Sequence, residues 1–133
     1  MGRSGLGVAI LLALVPMAGA QDLDDPEAMA VVKQGEIGRL ERGTISAYGD
    51  LTRFDVSVVW DSAAAARPEG YMARRVRYVA DCKAHTLLLA VVSVFDSSGR
   101  LLKTMILPPG AVDPAAPAEG SVESKWLREV CRL

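Results

Sequence analysis

Histidine, cysteine and aromatic residues are scarce in this chain. Its 133 residues include one histidine, two cysteines, two tryptophans, three tyrosines and two phenylalanines. The single histidine, His85, leaves a Ser/His/Asp triad one choice of base, and it sits among ordinary turn residues at a strand entrance. The cysteines, Cys82 and Cys131, form no CxxC motif, which argues against a thioredoxin-like redox site. Together with His85 they fall short of the ligands a zinc site needs. Gly5, Gly7, Gly35 and Gly38 do not lie between a strand and a helix, so no phosphate-cradling loop is expected. Carboxylates come singly, apart from Asp24-Asp25 with Asp22 nearby, and that cluster reads as a solvated segment rather than a cation site. No basic surplus interleaves with aromatics, which excludes the usual nucleic-acid surfaces. No internal repeat is visible. No catalytic, cofactor-binding or metal-ligating residue is therefore expected, and a small hydrolase or redox enzyme lacks its parts.

Long apolar runs are also rare, and the first is at the N-terminus. Met1–Arg3 is short and basic, Leu6–Met17 is apolar apart from Gly7 and Pro16, and Ala18-Gly19-Ala20 supplies a small-x-small pattern. This order is that of a secretory signal peptide cleaved near Ala20. The run is shorter than the roughly 20 residues a bilayer crossing needs. Gln21-Asp22 stand where a bacterial lipoprotein would have its cysteine. Cleavage would leave about 113 of the 133 residues, enough for one domain with a modest core. The net charge, −1 for the whole chain, becomes about −2 without Arg3 and gives no long-range attraction to nucleic acid or anionic lipid. No other segment is long enough to span a membrane. An exported chain with two cysteines is expected to join them, Cys82 to Cys131. Left free, Cys82 and His85 would instead form a reactive dyad.

Residues 21–29 are acidic and read as a frayed start. Residues 30–42 carry Gly35 and Gly38 and read as a loop or a short first edge strand. Thr44, Ile45 and Tyr48 suit a strand, which Gly49-Asp50 closes with a turn. Phe54, Val56, Val58 and Trp60 then alternate with polar residues, the period of a half-buried strand. The loop 61–70 follows, and Tyr71–Ala80 is the next strand, with Val76, Tyr78, Ala80 and Cys82 on one face. Arg74, Arg75 and Arg77 form a basic cluster, read as a solvated sheet face with nearby carboxylate partners.

Thr86–Phe95 has almost no polar face, so this strand is expected to be covered on both sides. Asp96-Ser97-Ser98-Gly99 is a hairpin connection, and Leu101–Leu107 returns as the partner strand until Pro108-Pro109 stops it. The hairpin built on Arg77–Leu107 is thus the expected centre of the fold. A Pro- and Ala-rich connector, 108–120, leads to a helix. Ser121 is its N-cap, Glu123 sits in its first turn, and Val122, Trp126, Val130 and Leu133 form its apolar stripe. The bond to Cys82 would clamp this helix to the sheet.

The stretch RYVADC at Arg77–Cys82, the hairpin VFDSSG at Val94–Gly99, and the closing series Pro114, Ser121 and Val130-Cys131 resemble the surface-adhesin protein E family of small exported Gram-negative bacterial proteins. The resemblance covers roughly 44–132. The Ala- and Pro-rich connector, with no tryptophan just ahead of Pro114, departs from the family pattern. The resemblance implies an α+β domain over 44–133, an antiparallel sheet meander with a packed C-terminal helix and one disulfide, preceded by a segment 21–43. It also implies a non-enzymatic binding protein without cofactors. Such a protein would engage a protein partner, from a host or from the envelope, at the cell surface or in the periplasm. The alternative is a periplasmic structural or inhibitor-type protein.

Overall fold

The computed structural model describes residues 25–132. The expected signal peptide, Asp22 and Asp24, and Leu133 of the helix stripe lie outside the described residues. The chain divides into two units, Met1–Val31 and Val32–Leu133.

The first unit contains helix α1, Pro26–Ala30. A frayed start was expected here, and local chemistry explains the difference. The Asp25 carboxylate accepts from the Glu27 N–H, Pro26 presets the first helical φ, and Glu27 favours the helix N-terminus.

The second unit is a five-stranded antiparallel meander with one helix: β1 (Glu36–Tyr48), β2 (Leu51–Trp60), β3 (Ala73–Asp81), β4 (Thr86–Phe95), β5 (Leu101–Ile106) and α2 (Val122–Val130). The strands lie in chain order. This is the α+β architecture expected from the sequence. The centre is different, however: β3 is the middle strand, and the β4–β5 hairpin forms one margin. Of the region 30–42 expected as a loop or short edge strand, residues 36–42 form the first half of β1, a strand of 13 residues. Gly35 and Gly38 are there for space. A Cβ on Gly38 would lie 2.7 Å from the Trp126 ring, and one on Gly35, at φ +88°, would lie 2.2 Å from the Trp60 ring.

Alternation decides what is buried. Phe54, Val56 and Val58 of β2, Val76, Tyr78 and Ala80 of β3, and Leu87, Leu89, Val92 and Val94 of β4 are buried on one face. A bulge at Ala90 keeps the two halves of β4 in phase, since Tyr78 pairs with Leu89 and Arg77 with Val91. Onto this face α2 brings Trp126, Leu127 and Val130. Phe54 stacks on Tyr78 with ring centroids 5.6 Å apart, and Tyr78 meets Trp126 at 6.1 Å. Burial pushes the Tyr78 hydroxyl well above its ordinary pKa, with Glu123 adding to the shift. Each fully buried valine here contributes on the order of 1.5–3 kcal/mol. Ser121 caps α2 through its hydroxyl, which accepts from the Ser124 N–H at 3.2 Å. The Cys82–Cys131 disulfide, with Cα atoms 5.5 Å apart, ties the end of α2 to the end of β3.

The expectation that β4 is covered on both sides is not met. Leu88, Val91, Ser93 and Phe95 on its other face are only half-buried. A run without a polar face fixes strand identity, but it does not supply a second covering layer.

Candidate functional site

The face opposite α2 has the most exposed chemistry of the sheet. Strand register arranges its side chains in rows across the strands. One row is Arg39, Ser57, Arg75, Ser93 and Thr104; the next is Glu41, Asp55, Arg77, Val91 and Ile106. Beyond these lie Ser46, Arg53, Val79 and Leu88 on one side, and Ile37, Val59, Ala73, Phe95 and Leu101 on the other. Among all of these only Asp55 is buried.

Asp55 is buried because two arginines close over it. Arg77 donates from Nε to Oδ1 at 2.8 Å and from Nη2 to Oδ2 at 3.2 Å. Arg75 Nη2 stands 3.2 Å from Oδ2. The Asp55 carboxylate, accepting from Arg77, holds that guanidinium above its ordinary pKa against the opposing effect of burial. The backbone of Asp55 depends on a β-bulge. Residues 42–45 of β1 stand opposite Phe54 alone, and the Thr44 hydroxyl accepts from the Asp55 N–H at 2.8 Å while donating to the Glu41 carbonyl at 2.6 Å. Asp55, Arg75, Arg77, Val91 and Ser93 enclose a depression of about 230 Å³.

At one end of this face a larger groove of about 650 Å³ opens between the β2–β3 loop and the β4–β5 hairpin. Val59, Ala73 and Phe95 of the uncovered face contribute to it, with Trp60, Tyr71 and Arg67. Trp60 Nε1 donates to the Ala65 carbonyl at 2.8 Å, which fixes the loop. The hairpin wall is organised by Asp96, whose Oδ1 accepts from the Ser98 N–H, the Ser98 hydroxyl and the Arg100 N–H at 2.9, 2.7 and 2.9 Å. The Ser98 hydroxyl is the strongest of these influences, and together they hold the Asp96 carboxyl below its ordinary pKa. Gly99 takes φ +87° to complete the turn.

The three arginines read as one cluster from the sequence are split by the pleat. Arg75 and Arg77 lie on the uncovered face with Asp55, as a solvated face with a carboxylate partner should. Arg74 faces the other way and is 7% exposed. Its Nη2 donates to Glu36 Oε1 at 2.6 Å, and the Tyr71 hydroxyl donates to Oε2 at 2.6 Å. The Lys33 N–H also reaches Oε1, at 2.8 Å. Burial alone would raise the Glu36 carboxyl; the bonds from Arg74, Tyr71 and Lys33 outweigh it and hold the group below its ordinary value. Burial, and then the bond to Glu36, push the Tyr71 hydroxyl up. The in-phase spacing of Arg74 with Val76 and Tyr78 was the available sign of its burial. Glu36 had no sequence signal.

His85 is exposed, in a left-handed conformation at φ +57°. It sits in the turn capped by the Asp81 carboxylate, which accepts from the Lys83 and Ala84 N–H groups at 3.0 Å each. Cys82 is bonded to Cys131, so no thiol is left for a dyad. Among the described residues no three or more His, Cys, Asp or Glu side chains gather as metal ligands, and no helix is long and apolar enough to cross a membrane.

Comparison with known proteins gives no counterpart: no family model matches the chain, and no curated protein or solved structure matches it significantly.

Proposed function

We propose that this chain is an exported, non-enzymatic binding protein of the surface-adhesin E type, engaging a protein partner at the cell surface or in the periplasm. One observation carries the reading. A complete five-stranded sheet has its core on one face, while the other presents half-buried and exposed arginines, hydroxyls and aliphatic side chains. A sheet face of mixed polarity with apolar margins is the composition of an interaction surface rather than of a reaction centre. The disulfide supports export, since such bonds persist in oxidising compartments.

The test is fractionation of Gram-negative cells expressing the full chain, with thiol counting on the recovered protein and protease shaving of intact cells. Peptides released by shaving and no free thiol are the expected result. A protein protected until the outer membrane is breached is periplasmic, and the structural or inhibitor-type reading then takes over. A reduced protein confined to the cytoplasm overturns both.

A further inference from the structure

We propose that the uncovered sheet face binds an acidic, amphipathic segment of a protein partner, with Arg39, Arg75 and Arg77 taking its carboxylates and the flanking aliphatic rows taking its apolar side chains. The inference rests on the binding-protein reading and names the chemistry of the partner.

The charge on this face is unlike that of the chain. Four arginines (Arg39, Arg53, Arg75, Arg77) share it with three carboxylates (Glu41, Asp55, and Asp81 at the end of β3), while the whole chain carries −1. The positive surplus is therefore local. All three carboxylates are already engaged: Asp55 by Arg75 and Arg77, Glu41 by the Ser57 hydroxyl, which donates to Oε1 at 2.5 Å, and Asp81 by the Lys83 and Ala84 N–H groups of its turn. Arg77 spends two nitrogens on Asp55, but Arg75 reaches it only through Nη2 at 3.2 Å, and its side chain stays 48% exposed. A guanidinium has five N–H donors, so Arg75 retains the capacity to grip a second carboxylate.

The geometry suits a peptide. Arg39 and Arg75 lie in one row, two strands apart, or about 10 Å between backbones. The depression walled by Arg75 and Arg77 has Ser93 in its lining, and the Ser93 hydroxyl lies 3.4 Å from that of Thr104 across β5. Asp55 already takes part of the donor capacity around this hollow of about 230 Å³, and the donors left on Arg75, with the Ser93 hydroxyl, fit a single further carboxylate. On one side of the basic row lie Val79, Leu88, Val91 and Ile106, the last 75% exposed; on the other lie Phe95 and Leu101, the latter 53% exposed. The face measures about 20 Å each way, the footprint of a peptide segment rather than of a standard interface.

The same features disfavour two other occupants. A sulfated glycan would satisfy the arginines and leave the aliphatic margins without a partner. A second copy of this chain would bring an equal positive surplus against the first, and like charges across an interface oppose association.

The experiment is fluorescence anisotropy on the mature protein with short labelled peptides: alternating glutamate and leucine, alternating lysine and leucine, and alternating glutamate and serine. A heparin fragment is the glycan probe. The Glu/Leu peptide should bind, with affinity that falls as salt rises, and the Lys/Leu peptide should not. Replacing leucine with serine, or reversing charge in the Arg39→Glu/Arg75→Glu variant, should weaken binding by about tenfold or more. The control, Lys125→Glu/Arg128→Glu on the exposed side of α2, should bind as the parent does. Equal binding of the Glu/Leu and Lys/Leu peptides, an equal loss in the control, heparin bound in preference to the peptide, or dimers in sedimentation at the same concentration would each overturn the proposal. The assay uses purified protein, so its failure leaves the export result of the fractionation standing.

Discussion

The two faces of this sheet come from the same strands and solve opposite problems. Arg74 and Arg75 are neighbours in sequence, and the pleat sends them to opposite sides. Arg74 meets Glu36 and is sealed, its side chain 7% and that of Glu36 2% exposed. Arg75 shares Asp55 with Arg77 and stays about half exposed. A buried pair is costly to break because the survivor is a desolvated charge. A pair on an open face contributes little, because water takes over when a partner leaves. The covered face accordingly holds the fold, and the uncovered face is free to carry function.

Substitutions separate the two. The largest effect is expected from Glu36→Ala, which takes the paired carboxylate away from the buried Arg74 guanidinium and should destabilise by about 3–5 kcal/mol in denaturant unfolding. Removing Asp55 with the Asn variant leaves two arginines that water can reach, and should cost about 1 kcal/mol or less. If the two substitutions cost the same, the contrast between the faces fails. Cys131→Ser should remove about 2–4 kcal/mol under oxidising conditions. Its melting temperature should also become insensitive to reductant, unlike that of the parent. Gly38→Ala forces the Trp126 ring aside and should cost about 1–3 kcal/mol.

Acid should sharpen the same contrast. The Glu36 carboxyl lies below its ordinary value in the fold, so its contribution is present at neutral pH. That contribution falls away as pH drops through the ordinary glutamate range towards the lower folded value. Glu36→Gln should be less stable than the parent at neutral pH, and the gap should narrow on acidification. A gap that stays constant down to the acid limit would show that Glu36 does not carry the titration. Arg75→Glu should likewise stay within about 1 kcal/mol of the parent in stability.

Much of the architecture was legible. The alternation of Phe54, Val56 and Val58, the turns at Gly49-Asp50 and Asp96–Gly99, and the Ser121 cap with Trp126 and Val130 each determine local structure through local chemistry. The missed features are tertiary. Gly35 and Gly38 looked like breakers of regular structure; they are instead the only residues that fit beneath two tryptophans that lie far away in sequence. The apolar run of β4 looked fit for a double cover, and nothing within it could reveal that only one helix follows. Strict alternation would put Leu101 and Met105 on one side of β5, but the register shift between Val94 and Phe95 pairs Leu101 with Phe95 and Met105 with Val92. The candidate site was partly visible as the basic cluster. Its carboxylate, Asp55, sits two strand positions from Ser57 with nothing to mark it, and only the register with Arg77 gives it a role.

Backbone amide chemical shifts followed during an NMR titration with the Glu/Leu peptide report whether the face opposite α2 is the binding face. Perturbations should concentrate at Arg39, Ser57, Arg75, Ser93 and Thr104, and leave residues 122–130 of α2 unmoved. Shifts concentrated on α2 and the connector, with that row silent, would contradict it.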